Sequence, residues 1–205
     1  MGSLFISYPW GLLKGIDITK AGTGQLGGSN AGRILGWPFL FISGLFDVLK
    51  AIFSLMIFVY LNDTFFSGNE LVNEVSLIAG GVGLILGHTY SIYLKLYSKK
   101  WEGGKGVAPY GGILFFISWQ SFIVIFIFLF GSLQALKKIL KTKLSIYDNF
   151  IPNTIILLLS PMIVFSFRPE LWISAWLICL ILVMFFDDRK KVFDVLKQAT
   201  VNKEK

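Results

Sequence analysis

The sequence predicts an all-α, polytopic integral membrane protein of about seven transmembrane helices, with the N-terminus outside and the C-terminus cytoplasmic. Three observations support this: composition, long charge-free runs, and unequal charge among the loops. The 205 residues are 55% hydrophobic, 16% aromatic and 15% charged, and the mean hydropathy is +0.70. Soluble domains carry about a quarter charged residues, so this composition argues against a water-soluble protein.

The charge-free runs give the candidate helices, because a soluble core cannot absorb this much apolar helix. These runs cover residues 34–46, 51–62, 75–94, 107–136, 149–167 and 171–186. One domain over 1–205 follows, with a basic cytoplasmic tail at 187–205. Residues 4–13 lack the basic start and cleavage pattern of a signal peptide.

The loop charges orient the chain. Segment 62–74 holds three acidic residues and no base, whereas segments 14–33, 95–105, 137–149 and the tail are rich in Lys and Arg. Basic loops stay in the cytoplasm, so the acidic loop is expected outside.

The same rule predicts two helical hairpins, since 107–136 and 149–186 have basic flanks on both sides. Their turns are expected near Trp119-Gln120-Ser121 and at Arg168-Pro169-Glu170. Together with crossings over 2–13, 34–61 and 75–94 this makes seven, with five as the alternative. The short segment 2–13 requires tilt, local thinning, extension into loop residues, or an N-terminus trimmed relative to a natural chain.

Several function classes are excluded by composition. One cysteine, Cys179, and one histidine, His88, allow neither a disulfide framework nor a Cys- or His-based metal site, and we expect no metal and no cofactor. The net charge of +7 could suggest nucleic acid, but basic cytoplasmic loops explain it.

Three polar residues interrupt the apolar helices. Asp47 and Lys50 lie within the stretch 39–61, and their i, i+3 spacing lets them neutralise each other. This pair is either a functional site or a structural ion pair. His88, beside Gly87, is either a packed helix residue or a functional one.

Two glycine-rich segments lie on the predicted cytoplasmic side. The first, 22–30, matches G-x-G-x-x-G, but no strand precedes it, so a dinucleotide site is not supported. The second, 103–106, lacks the spacing of a P-loop.

The physics of these motifs still applies, because glycine backbone N–H groups can surround an anion that Lys or Arg neutralises. Gly106 opens a helix over 107–118, whose N-terminus favours phosphate. Thr23, Ser29 and Asn30 supply neutral groups, and Arg33 and Lys105 the charge. The alternative is that the glycines only turn the chain and the lysines contact lipid headgroups.

The motifs together resemble the PlsY-type glycerol-3-phosphate acyltransferases of bacterial membranes. The resemblance covers most of 2–110 and rests on motifs that follow in the family's order: Gly2-Ser3, Lys14-Gly15-Ile16-Asp17, the 22–30 loop with Asn30 and Arg33, Asp47-Val48-Leu49-Lys50, Gly87-His88 and Gly103-Gly104-Lys105-Gly106-Val107. It implies acyl transfer from acyl phosphate to the 1-hydroxyl of glycerol 3-phosphate, giving lysophosphatidic acid, with the acceptor's own phosphate helping to take the hydroxyl proton.

The resemblance also implies the site residues and setting. Catalytic roles would fall to His88, Lys105 and Asp188. Substrate binding would involve Thr23, Gly24, Gln25, Ser29, Asn30, Arg33, Lys50, Gly103, Gly104, Gly106 and Arg189. The expected partners are acyl phosphate, glycerol 3-phosphate and membrane lipids, for a monomer in the bacterial cytoplasmic (inner) membrane.

The chain departs from the family pattern at several positions. Thr23 and Gln25 replace Ser and Asn, and the closing motif, His-Arg followed by Asn, reads Asp188-Arg189-Lys190-Lys191. The alternative function is therefore a non-catalytic or altered-acceptor relative that binds phosphorylated lipid or a partner. A small transporter is a third interpretation, weakened by the lack of an internal repeat.

Overall fold

The computed structural model describes residues 1–99, 103–128, 150–170, 173–182 and 184, and this part of the chain is helical with no strand. Its α-helices are α1 (Ser7–Leu13), α2 (Gly28–Leu35), α3 (Trp37–Phe65), α4 (Glu70–Thr89), α5 (Ile92–Ser98), α6 (Val107–Ile117), α7 (Trp119–Phe128), α8 (Phe150–Phe167) and α9 (Ile173–Leu182). A 3₁₀ turn covers Ile18–Lys20. The all-α prediction is confirmed for these residues.

Helices α3 and α4 are long and apolar enough to cross a membrane, by length and composition. The 29 residues of α3 begin after Gly36, whose φ of 103° only glycine adopts readily, and Pro38 lies in its first turn. Ser43, Asp47 and Lys50 on α3 are buried, whereas Phe41 and Phe53 are more than half exposed. A helix of a soluble protein buries its apolar side chains and exposes its polar ones. On α3 the arrangement is the opposite, as expected for a helix surrounded by lipid.

Both predicted helical hairpins have breaks where the sequence placed them. Ser118 is extended between α6 and α7, and the ring of Phe122 packs 5.4 Å from that of Phe115. A Cβ on Gly111 would lie 3.5 Å from Phe122, so α7 folds back along α6. In an unbroken helix residues eleven apart would be about 16 Å apart.

The second turn, at Arg168–Glu170, separates α8 from α9 and lies beside the first. Arg168 pairs with Glu170 at 3.2 Å and donates through its guanidinium to the carbonyl of Ile117 at 3.4 Å. The two predicted turns therefore meet at one end of the bundle.

The hydrophobic core lies between α3, α4, α6, α8 and α9. It is filled by fully buried apolar side chains that include Leu55, Ile85, Ile113, Val164 and Leu177. Helices α3 and α6 approach closely at Gly112, where a Cβ would meet the carbonyl of Val48. Glycine at this position sets the α3–α6 spacing, which in turn places the start of α6.

The N-terminal segment differs most from the sequence-based expectation. Helix α1 has seven residues, about 10 Å of helix, against a membrane core of about 30 Å. Residues 2 and 3 pack on the end of α4 instead, with Ser3 Oγ donating to the Gly87 carbonyl at 3.0 Å. No helix with the length of a crossing is therefore present over 2–13. Residues 2–6 precede α1 as a loop, and the chain turns after α1 at Gly15, with φ of 73°.

Candidate anion-binding site

The first glycine loop is held in shape by the carboxamide of Asn30. Asn30 Nδ2 donates to the carbonyls of Ala21 at 3.1 Å and Gln25 at 2.8 Å, and Oδ1 accepts from the Thr23 N–H at 2.9 Å. Gly22 has φ of 59°, and a Cβ there would collide with Asn30 Oδ1. The Asn30 side chain, predicted to contact phosphate, thus bonds to its own loop and leaves no donor for a ligand.

The second glycine segment forms a turn that lies against the end of α4. Gly103 N–H donates to the Thr89 carbonyl at 2.8 Å, and Gly104 N–H donates to the His88 carbonyl at 3.0 Å. Gly106, with φ of 81°, is the N-cap of α6, as predicted. The turn therefore delivers Lys105 and the N-terminus of α6 to one place.

The two glycine segments are joined to each other through their main chains. Leu26 N–H donates to the carbonyl of Gly103 at 3.1 Å. On the other side of the same residue, the Leu26 carbonyl accepts from Ser7 Oγ at 2.5 Å. A Cβ on Gly27 would lie 3.9 Å from Gly104 Cα. The two glycine segments, which were predicted to lie on one face, are therefore joined in a single surface.

Behind this surface lies a buried charged cluster. Lys50 Nζ is 2.7 Å from Asp47 Oδ1, 2.7 Å from the Leu4 carbonyl and 3.0 Å from His88 Nδ1. The exposed fractions of the three ionisable residues are 2% for Asp47, 5% for Lys50 and 2% for His88. The predicted neutralisation of Asp47 by Lys50 is present. Sequence reasoning missed the Leu4 carbonyl, because a backbone acceptor 46 residues away leaves no residue-type signal.

His88 connects the cluster to the turn. Its ring lies over Gly104, where an added Cβ would clash with Nε2 and lie 3.0 Å from Cδ2 and Cε1. On the other side, the Phe5 ring is 4.7 Å from the imidazole. Gly103 and Gly104 are both buried against this histidine. In the sequence, the only indication of the contact between His88 and Gly104 was that the chain contains both a Gly-His motif and a Gly-Gly-Lys-Gly motif.

Exposed polar side chains lie at the rim of this surface. Thr23, Ser29, Arg33 and Lys105 are exposed, and Gln25 is half-buried. Ser29 and Arg33 are four residues apart on α2, so they share a helix face. Lys50, predicted to bind substrate, is instead buried behind His88. Asp188 and Arg189 lie outside the described residues.

The loop before α2 is anchored by Asp17. Its carboxylate accepts from Thr19 Oγ1 at 2.7 Å and Thr19 N–H at 3.1 Å, and Lys20 Nζ lies 3.2 Å away. The hydrogen bonds from Thr19 and the charge of Lys20 lower the pKa of Asp17 below its usual value. Among the described residues no three His, Cys, Asp or Glu side chains are grouped to hold a metal ion.

Comparisons with known proteins point in one direction. A family model described as glycerol-3-phosphate acyltransferase matches residues 1–196. The chain is 36% identical over 124 residues to a glycerol-3-phosphate acyltransferase of Prochlorococcus marinus, covering 58% of this chain and 56% of that one. It is 40% identical over 127 residues to a protein of the same name from Thermotoga petrophila, covering 60% and 57%. The aligned part thus spans little more than half the length of these curated relatives.

The fold is similar to that of a solved membrane enzyme. A crystal structure of PlsY (YgiH), an integral membrane glycerol 3-phosphate acyltransferase in its glycerol 3-phosphate form, superposes with a TM-score of 0.72. The superposition covers 96% of this chain and 87% of that one, at 20% identity. The likeness shows that the two chains share a helical fold.

Proposed function

Because the chain belongs to the glycerol-3-phosphate acyltransferase family, we propose that it acylates the 1-hydroxyl of glycerol 3-phosphate using an acyl phosphate. The observation that carries the proposal is the main-chain hydrogen bond between Leu26 and Gly103. It brings two glycine segments, each beside an exposed cation, to one surface. Such a surface suits a donor and an acceptor that both carry phosphate.

In the proposed reaction, the glycerol hydroxyl oxygen attacks the acyl carbon and a new ester bond forms. The bond from the acyl carbon to the phosphate oxygen breaks, and inorganic phosphate leaves with the electron pair. The hydroxyl proton passes to a phosphate oxygen. Glycerol 3-phosphate carries such an oxygen itself, on its own phosphate group. The products are lysophosphatidic acid and phosphate, and fixed donors aimed at the developing charge lower the barrier.

The residues divide between binding and shaping. Arg33 and Lys105 would neutralise phosphate, and Thr23, Gln25 and Ser29 would donate to it. Gly24, Gly103, Gly104 and Gly106 would let the backbone approach. Asn30 fixes the first loop, and Lys50 acts through His88. Asp188 and Arg189, from the closing motif, remain proposed site residues.

The membrane arrangement is also a proposal. We place the 62–74 loop outside and the glycine segments in the cytoplasm of a bacterial cell, with a cytoplasmic C-terminus and a monomeric protein in the inner membrane. Of the seven proposed crossings, the first would use the short helix α1 together with its flanking loop residues. The loop charges support it. With Cys179→Ser as background, Ser67→Cys should react with an impermeant maleimide in intact cells, and Lys95→Cys only after permeabilisation. The opposite labelling would invert the topology.

The enzymatic test is phosphate release from palmitoyl phosphate by purified protein, with and without glycerol 3-phosphate. We expect release to depend on the acceptor and to be lost in Lys105→Ala. Lys14→Ala is a matched control, because Lys14 is an exposed cation that lies 4.5 Å from the Phe39 ring, outside both glycine segments. Binding of phosphorylated lipid without release would instead support the non-catalytic alternative.

A further inference from the structure

In the buried cluster of Asp47, Lys50 and His88, the geometry defines which groups donate hydrogen bonds and which accept them. A lysine ammonium has three donors and no acceptor. Lys50 directs them at Asp47 Oδ1, the Leu4 carbonyl and His88 Nδ1, at 2.7, 2.7 and 3.0 Å. All three donors are thereby used. The nitrogen of His88 that faces Lys50 must then offer a lone pair, not a proton.

This polarity decides the other nitrogen of the ring. A neutral imidazole that accepts at Nδ1 carries its proton on Nε2. Nε2 lies on the Gly104 side of the ring, at the turn that precedes α6. Among the described residues nothing accepts a hydrogen bond from it. Its proton is therefore left to a ligand or to solvent at this turn.

We propose that Lys50, supported by Asp47, is a positioning residue that holds His88 as the Nε2–H tautomer and so presents a hydrogen-bond donor to a ligand oxygen at the Gly103–Gly106 turn. The tautomer follows from the cluster alone, whereas the use of its donor on an acyl phosphate rests on the proposed acyl transfer. In this arrangement Asp47 has a purpose beyond charge balance. It keeps the Lys50 ammonium charged and aimed, because an unpaired buried cation is unfavourable.

The alternative is that the cluster only closes the packing of α3 on α4. Charge neutralisation would then suffice, and the His88 tautomer would not depend on Lys50. The two explanations predict different tautomers of His88 and different coupling between the Asp47–Lys50 pair and His88. Both quantities can be measured independently of overall stability.

The first experiment reads the tautomer directly. The sequence has one histidine, so ¹⁵N-histidine labelling of protein prepared without a polyhistidine tag gives signals from His88 alone. We expect a protonated Nε2 and an unprotonated Nδ1 in the wild type. In Asp47→Asn/Lys50→Met, which removes the ion pair without leaving a charge, we expect Nδ1–H to become populated. A wild-type Nδ1–H form, an imidazolium, or an unchanged tautomer in the double variant would overturn the proposal.

The second experiment tests the use of the donor through kcat. Removing one transition-state donor costs about 100-fold or more in kcat, and we expect this of His88→Ala. Asp47→Asn/Lys50→Met should lower kcat roughly tenfold or more with a smaller change in KM, because the donor is misdirected but still present. His88→Gln restores an N–H near the Nε2 position and should retain part of the activity.

The third experiment measures the coupling between His88 and the Asp47–Lys50 pair, and it decides between the two explanations. In a His88→Gln background, the Asp47→Asn/Lys50→Met change should no longer lower kcat, since its effect passes through the imidazole. Equal losses in both backgrounds would assign the pair a separate, structural role. If the wild type releases no phosphate at all, the proposed function fails, while the NMR result still decides the tautomer.

Discussion

Leu26 and Gly103, 77 positions apart in the chain, are joined by a main-chain hydrogen bond of 3.1 Å. This bond ties the glycine loop before α2 to the turn before α6. Gly103 was predicted as part of a glycine segment, whereas Leu26 has an apolar side chain and was not among the predicted site residues. Their contact nevertheless converts two anion-binding patterns into one surface beside His88.

The first prediction concerns the contact between Gly104 and His88. Gly104→Ala should abolish acyl transfer, because the added methyl group occupies the position of the imidazole Nε2 and must displace the ring or the turn. The cost in folding free energy should be about 1–3 kcal/mol, the range for overpacking. Gly111→Ala is the control, since its Cβ would make an ordinary contact of 3.5 Å with Phe122. Acceptor-dependent phosphate release measures both; an active Gly104→Ala would contradict the described turn.

The second prediction concerns Asn30. Asn30→Asp should destabilise the loop, because an oxygen then faces the carbonyls of Ala21 and Gln25 in place of the amide donor. Leaving buried polar groups unsatisfied costs about 1–3 kcal/mol each. We expect a lower melting temperature in detergent, together with faster proteolysis within 21–25.

Ser29→Ala is the matched control for Asn30→Asp. Its side chain is exposed on the same helix, so the melting temperature should not change while phosphate affinity falls. If Asn30→Asp instead keeps its stability and loses only affinity, Asn30 contacts the ligand as the sequence suggested.

The long helices α3 and α4 and the breaks at Ser118 and 168–170 were predictable because they depend on local chemistry, whereas the short helices α2 and α5 were not predicted. A charge-free run of apolar residues specifies a helix, and Pro169 together with basic flanks specifies a turn. Asp47 and Lys50 were also predictable as a pair, because i, i+3 spacing fixes their proximity. Their distance of 2.7 Å confirms it.

The remainder depends on tertiary contacts that leave no local signal. Asn30 has the residue type of a phosphate ligand, yet its three hydrogen bonds go to its own loop. Lys50 has the residue type of an anion binder, yet it is buried against the Leu4 carbonyl. Residue type gives the hydrogen-bonding capacity of a side chain, and only the fold decides which partner uses it.

The third prediction uses two glycines on the same helix. Gly81→Ala should destabilise the packing of α4 on α9, because its Cβ would overlap the Trp176 ring at Cζ2 and lie 3.1 Å from Cε2. Gly83 lies two residues further along α4, and a Cβ added there would have no neighbouring atom within 4 Å. Gly83→Ala should therefore be neutral or stabilising by up to about 1 kcal/mol. Thermal unfolding of the two variants in one detergent gives the comparison, and equal melting temperatures would contradict the α4–α9 contact.

The fourth prediction concerns Asp17, which caps the 3₁₀ turn that leads into the first glycine loop. Asp17→Ala should cost about 0.5–2 kcal/mol, the range for losing a helix cap, because Thr19 N–H and Oγ1 lose their acceptor. Asp17→Asn keeps a side-chain oxygen and should recover most of that loss.

The folded-state pKa of Asp17 lies below its unfolded value, so the contribution of the carboxylate is complete above about pH 4 and disappears as pH falls through the folded pKa. Wild type and Asp17→Asn should therefore differ in melting temperature near neutral pH and converge in acid. A difference that widens as pH falls would show that the carboxylate is not held by Thr19.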